Sequence, residues 1–273
     1  MNYIEKSYNI NKTAFVIGGL GAIGLEASKA LSDSGAKVVI IDIQKPNITT
    51  KNLLKQKKIN FEKIVYKNDG KFFKKDFYRI IKKYSTPDIF INCSYPKTKN
   101  WKNNNFDKIV FEELKDNINL HLIFFCWFAK LIADQMKKKK KFGSIIQIGS
   151  IYGMFGQDIG LYKGTNLREN VSYSIIKGGI INFTRQMASY YGKNKIRVNN
   201  ICPGGVINKK DKNLKSKRFL QRYRDKSPLG TMAEASDIAS AVLFLSSETS
   251  AHITGQTLII DGGTGKVATA QLD

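Results

Sequence analysis

Histidine, cysteine and proline are scarce in this chain: two, three and five among 273 residues. His121 and His252 stand far apart, so no histidine-based metal cluster is expected. Cys93, Cys126 and Cys202 are also dispersed and form no C-x-x-C pair. That excludes a disulfide framework or zinc ribbon and suits a reducing cytosol. With no proline-rich or Gly/Ser-rich stretch and no internal repeat, nothing marks a linker, and residues 1–273 read as one domain. Long apolar runs are missing too. "LIFFCWFA" (122–129) is far too short to span a bilayer, and "MNYIEKSYNINK" lacks the apolar core of a signal peptide. A cytoplasmic protein with no membrane partner is expected.

Arginine is the other scarcity. The net charge is +23 from 45 basic residues, yet only seven of these are arginine. Base-edge readout favours the bidentate arginine fork, and the lysines here are scattered over the whole chain. No nucleic-acid partner is therefore expected. The field of such a surface instead draws small anions. The run "MKKKKK" (136–141) suits the end of a helix, where cations complement the dipole.

What is present is a recurring short apolar run. "TAFVIGG" (13–19), "KVVIID" (37–42), "KIVY" (63–66), "DIFINC" (88–93), "GSIIQIG" (143–149), "RVNNIC" (197–202) and "TLIID" (257–261) read as strands. They are Val/Ile-rich and mostly unalternating, as strands are when covered on both faces. Helical spacing fills 22–35, 72–84, 111–138, 172–192 and 234–247. The alternation predicts an α/β fold: a doubly wound parallel sheet of about seven strands with helices on both faces. A variable helical segment is expected at about 208–230.

The first strand runs into "GGLGAIG" (18–24). Gly18, Gly21 and Gly24 permit a sharp turn and a close approach to a pyrophosphate at the next helix's N-terminus, with Ile23 beside them. Asp42 ends the second strand, where a carboxylate accepts hydrogen bonds from ribose hydroxyls and repels a 2′-phosphate. NAD is the expected cofactor. Asp69, after the third strand, is placed to meet the adenine amino group; a turn residue is the alternative.

Ser150 follows the fifth strand, and Tyr173 and Lys177 stand four apart in "YSIIK". Moving a hydride at a carbinol carbon requires a proton to move at its oxygen. A tyrosine does this once its pKa, ordinarily about 10, is lowered, and an i, i+4 lysine shares its helical face. In order, Gly18…Gly24, "DIFINCS", Asn119 in "NINLHL", "IIQIGS", "YSIIK", "IRVNNICPGG" and "ITGQTLIIDGG" resemble the short-chain dehydrogenase/reductase superfamily over about residues 11–263. The resemblance implies that Tyr173 exchanges the proton and that Ser150 holds the substrate oxygen. It implies that Lys177 supports the phenolate and the nicotinamide ribose. Asn119 would anchor a linking water, and Asn92 and the loop Pro203, Gly204 and Val206 would contact the cofactor. It also implies a homodimer or homotetramer built on helices 111–137 and 172–191.

Three segments depart from that pattern. The usual NNAG after the fourth strand is Asn92-Cys93-Ser94-Tyr95, Ala22 takes a glycine's place, and Asn208 replaces a threonine. Ser150 and Tyr173 are also 23 positions apart where the family has about a dozen, an insertion whose closure entropy grows only logarithmically with length. "INCSYPKTKNW", "LYKGT" and "VSYSIIKGGIINFTRQMA" resemble the flagellin-modification oxidoreductases of bacterial nonulosonic (legionaminic) acid synthesis. That narrower resemblance implies an anionic sugar-type substrate. Residues 152–170 are then expected to form a substrate loop presenting Tyr152, Tyr162, Lys163, Thr165 and Arg168. A 3-oxoacyl-(acyl carrier protein) reductase-like enzyme and an inactive NAD-binding subunit remain alternatives.

Overall fold

Seven strands line up side by side in a computed structural model that describes residues 2–65, 71–165, 167–207 and 217–265. They are β1 (Thr13–Ile17), β2 (Lys37–Asp42), β3 (Asn60–Lys63), β4 (Ile89–Asn92), β5 (Gly143–Ile148), β6 (Ile196–Pro203) and β7 (Thr257–Ile260). The sheet is parallel throughout, in the order β3-β2-β1-β4-β5-β6-β7. The order reverses between β1 and β4, and such a switch point opens a crevice at the strand C-termini.

Strand side chains alternate between two cores. Phe15, Ile17, Phe90 and Ile145 face one, shared with α3 (Lys71–Tyr84), α5 (Phe124–Lys138) and α6 (Val171–Tyr191). Ala14, Val16, Ile89 and Ile146 face the other, shared with α1 (Ala22–Asp33), α2 (Ile48–Gln56) and α8 (Ala235–Ser246). This is the doubly wound, single-domain arrangement that the apolar runs predict.

Three elements differ from the sequence reading. The third strand lies at 60–63, not 63–66: its partner β2 stops at Asp42, opposite Lys63, so the ladder has nowhere to continue. The unanticipated α2 begins on Asn47, whose side chain accepts from Thr50 N; its "ITT" start has weak helix propensity. The helix expected over 111–138 is interrupted. Helix α4 (Phe111–Asn117) passes through a π-helical stretch, Ile118–Ile123, into α5. Just before it, Asn117 Nδ2 donates to the Glu113 carbonyl four residues back, competing with the backbone ladder. Of the segment expected at 208–230, the structure describes α7 (Lys217–Lys226). Asp69 and Asn208 lie outside the described residues.

Candidate active site

Parallel pairing of β5 with β6 brings the exit of β5 beside Pro203. There Ser150 is buried, and its Oγ accepts from Tyr152 N at 3.2 Å, starting a short turn over Ile151–Gly153. The turn lies directly on α6: a Cβ at Gly153 would stand 2.5 Å from the Lys177 carbonyl carbon. At the start of α6, Asn170 Oδ1 accepts from Tyr173 N at 2.8 Å, which caps the helix. The Ser150 hydroxyl lies close enough to the Tyr173 phenol to lower its pKa, so 23 positions of sequence close to near neighbours.

Lys177 is buried one turn below, and its Nζ donates to the Ile148 carbonyl at 2.9 Å. Burial pushes the Tyr173 phenol up to about 12, against the lowering effect of the Ser150 hydroxyl. Burial also draws Lys177 down to about 8, opposed by the thiols of Cys202 and Cys93. The expected lowering of the phenol by Lys177 is therefore not what governs here. The ammonium is turned to Ile148, and desolvation disfavours the charged form of each group. At neutral pH this leaves a protonated phenol above a cationic lysine.

The cofactor end is built on β1 and β2. Gly18 has φ +70°, and a Cβ there would stand 2.7 Å from the Cys93 carbonyl oxygen; one at Gly24 would stand 2.4 Å from the Gly18 oxygen. Gly21 begins α1 with no side-chain cap, leaving the first N–H groups facing outward. Ile23 packs against the second core. Asp42 lies against this turn, accepting from Leu20 N and Gln44 N, each at 3.0 Å. Pro203 and Gly204 leave β6 on the same side of the sheet, Val206 bridges to Ala233, and Gly205 N donates to the Tyr223 hydroxyl of α7.

The two asparagines of the expected site differ in their surroundings. The Asn92 amide is engaged inside the protein, donating to the Phe125 carbonyl at 3.1 Å and accepting from Ser94 Oγ at 2.8 Å. Asn119 sits exposed in the π-helical stretch, which packs on α6. The buried asparagine is Asn117, whose Nδ2 donates to Asn104 Oδ1 at 2.9 Å; Ser172 Oγ donates to the same oxygen at 2.6 Å. Sequence reading missed Asn104 and Asn117, because two amides 13 positions apart, sharing a serine 68 positions from Asn104, give no motif.

Residues 152–170 do not project as a free loop. Leu161 is buried with Phe219, Tyr223 and Met232, and Tyr162 stacks on Phe219 at 6.3 Å. Asp158 pairs with Lys226, and Arg222 donates to the Lys163 carbonyl. Gln157 Nε2 donates to Asn170 O and Ser174 Oγ, both at 2.8 Å, folding the loop back onto α6. Tyr152 and Tyr162 lie close enough to each other and to Tyr173 to shift one another's pKa. Those two expected substrate residues thus converge on the catalytic pair. Lys163 and Arg168 are both exposed; Arg168 donates to the Thr165 and Leu167 carbonyls, while Thr165 Oγ1 donates to Tyr162 O.

Tyr95 and Trp101, from the segment after β4, complete the surroundings. Ring centroids of Tyr95 and Trp101 lie 5.7 and 6.3 Å from that of Tyr173. Beneath Tyr95 lies His121, buried, with its ring 5.3 Å away; burial, reinforced by the Lys177 charge, holds its pKa well below the ordinary value. Among the described residues no group of three or more potential metal ligands occurs, and no helix is long and apolar enough to cross a membrane.

The sequence profile of the enoyl-(acyl carrier protein) reductase family matches residues 19–265. The post-translational flagellin modification protein A of Campylobacter coli is 29% identical over 260 residues, 93% of this chain and 98% of that one. A 3-oxoacyl-(acyl carrier protein) reductase of Buchnera aphidicola is 30% identical over 261 residues, 92% of this chain and 96% of that one. A short chain dehydrogenase from Leptospira borgpetersenii, solved with bound NAD+, superposes with a TM-score of 0.81. It is 30% identical, covering 97% of this chain and 96% of that one.

Proposed function

This chain belongs to the short-chain dehydrogenase/reductase superfamily and is an NAD(P)-dependent oxidoreductase of CH–OH groups; from that premise we propose that it uses NAD to interconvert a hydroxyl and a carbonyl on a small anionic sugar derivative. A sugar phosphate or nucleotide sugar of surface-glycan or flagellin modification fits best. The likeness to the Campylobacter coli flagellin modification protein supports this class. The observation that carries the reading is Ser150 beside the Tyr173 phenol, with the buried Lys177 Nζ 5.6 Å from the centre of the Tyr173 ring.

The glycine turn fits a dinucleotide because Gly18 and Gly24 let the turn pack tightly on the Cys93–Ser94 backbone and on itself, where any Cβ would collide. The uncapped start of α1 would take the pyrophosphate, and Asp42 the adenosine ribose. The fixed Asp42 carboxylate would repel a 2′-phosphate, which favours NAD. When bound, the dinucleotide accepts or supplies the hydride. Ser150 then orients the substrate oxygen and Tyr173 exchanges a proton with it, as a donor in its high-pKa form. Lys177 keeps a positive charge below the phenol, and Asn119 anchors a water between lysine and solvent.

Tyr173→Phe tests the assignment. Turnover should fall at least 100-fold, since a positioned acid–base group contributes about 10²–10⁴. Dinucleotide affinity, read by fluorescence titration, should stay within a few-fold. Residual turnover above about a tenth would remove Tyr173 from its role.

The identity with the Buchnera aphidicola reductase supports a second reading, reduction of a 3-oxoacyl thioester. Acetoacetyl-coenzyme A with NADPH separates the two: its reduction faster than any sugar with NAD favours the second. An inactive NAD-binding subunit would leave no reason for the three groups to converge. We place the enzyme in the cytoplasm as a homodimer or homotetramer, supported by Ile123 and Trp127 exposed on the outer face of the π stretch and α5.

A further inference from the structure

Tyr173 lies in the first turn of α6, the least secure part of a helix, because the first N–H groups have no carbonyl of their own helix to meet. Lys177, one turn deeper, is buried and gripped by the Ile148 carbonyl at 2.9 Å. The place of the phenol therefore depends on what fastens this turn from outside. Gln157 reaches it from the loop, and two asparagines tie it to the segment after β4. Asn170 Oδ1 accepts from Tyr173 N at 2.8 Å, and its Nδ2 donates to the Trp101 carbonyl at 2.9 Å. The Asn104 carbonyl accepts from Val171 N, also at 2.8 Å.

Asn104 does more than lend a carbonyl. Its side chain is buried, and its Oδ1 accepts from two donors, Ser172 Oγ at 2.6 Å and Asn117 Nδ2 at 2.9 Å. Its Nδ2 donates to the Asn100 carbonyl at 3.0 Å, so both ends of the amide are engaged. Ser172 immediately precedes Tyr173, and Asn117 ends α4 just ahead of the π-helical stretch. One side chain thus joins three stretches of the fold at the base of the catalytic helix. Hydrogen bonds of a buried network reinforce one another and hold a single geometry. An apolar side chain at 104 would leave the Ser172 hydroxyl and the Asn117 amide buried without this acceptor.

We propose that Asn104 is a positioning residue for the reaction. It seats the first turn of α6, and through that turn it sets the place of the Tyr173 phenol beside Ser150, while Lys177 and the glycine turn stand independent of it. The proposal rests on the proton-exchanging role given to Tyr173 above, which Tyr173→Phe tests separately.

The test reads the position of the phenol directly. Tyr173 is ring-fluorinated by site-specific incorporation in the full chain, and its fluorine NMR resonance is recorded in the parent, Asn104→Ala, Ser172→Ala and Tyr191→Phe. Tyr191→Phe removes a 2.7 Å bond to Asp134 at the far end of α6, and so measures what loosening the helix does by itself. The parent and Tyr191→Phe should share one resonance. Asn104→Ala should broaden it or move it toward the free amino acid, and Ser172→Ala, which removes one of the two donors, should do so by less. Turnover of the unlabelled proteins is followed with acetoacetyl-coenzyme A and N-acetylglucosamine 6-phosphate as probes. A small misplacement of a catalytic group costs up to about 100-fold, so kcat in Asn104→Ala should fall about 10–100-fold with KM unchanged. Adding Ser172→Ala to Asn104→Ala should cost little more, because both break the same link. NAD+ affinity should stay within a few-fold, which also reports that each variant is folded. A resonance in Asn104→Ala that moves no further than in Tyr191→Phe overturns the proposal, and so does an equal loss of kcat in those two variants. If Asn104→Ala does not fold, Ser172→Ala decides by the same criteria; if neither probe is turned over, the resonance decides alone. An inactive Tyr173→Phe with an unmoved Asn104→Ala resonance overturns the positioning role and leaves the oxidoreductase reading standing. An active Tyr173→Phe removes that reading and the proposal with it.

Discussion

Burying Lys177 behind β5 disfavours its charged form, and the penalty is readable in stability. Its pKa falls from 10.5 to about 8 on folding. Below pH 8 both states hold the proton and the penalty is complete. Between 8 and 10.5 the unfolded chain binds more protons, so stability rises with pH. Lys177→Met should therefore melt higher than the parent at pH 7, by at most about 3 kcal/mol, less the lost Ile148 hydrogen bond. The gap should narrow from pH 8 to 10; a pH-independent gap would contradict the cause given. At Gly24, a methyl group would meet the Gly18 oxygen at 2.4 Å, so Gly24→Ala should abolish NADH binding in a fluorescence titration. Asp42→Ala should narrow the preference for NAD over NADP. Tighter NADP binding by the parent would displace Asp42 from the ribose.

At the scale of elements, the insertion and α7 form one unit, with an apolar cluster separate from the two sheet cores. Small satellite clusters open more readily than a sheet core. Leu161→Ala should cost about 2–4 kcal/mol locally yet move the main melting transition little. Proteolysis within 152–170 should accelerate and KM should rise. A fall of the whole melting transition would mean that the loop belongs to the central cooperative unit. The π-helical stretch belongs to this scale too. It follows the Asn117 back-bond, and π turns concentrate at functional sites.

For the whole molecule, Ile123 and Trp127 leave apolar area in water on the face opposite the sheet, at 54% and 41% exposure. Apolar patches of this kind mark contact surfaces. Trp127→Glu should convert the expected dimer or tetramer to smaller species in sedimentation velocity. A parent that already sediments as a monomer would refute that assembly.

The parallel, doubly wound sheet, the glycine turn and the positions of Ser150, Tyr173 and Lys177 at the ends of their elements were legible in the sequence. Each depends on local periodicity or on a motif whose members sit at one end of an element. Buried parallel strands announce themselves as continuous Val/Ile runs, and two residues four apart on a helix must share a face. The edge strand at 60–63 was misplaced because its limits come from β2, not from its own residues. Asn92 and Arg168 carry side chains whose partners, a carbonyl of α5 and carbonyls of the loop, no pattern encodes. The charge states of Tyr173 and Lys177 also waited on the fold, because desolvation is a property of what surrounds a group. Tyr95 and Trp101 reach Tyr173 only because β4 and β5 are neighbours in the sheet, which sets chain segments 50 and more positions apart around one cleft.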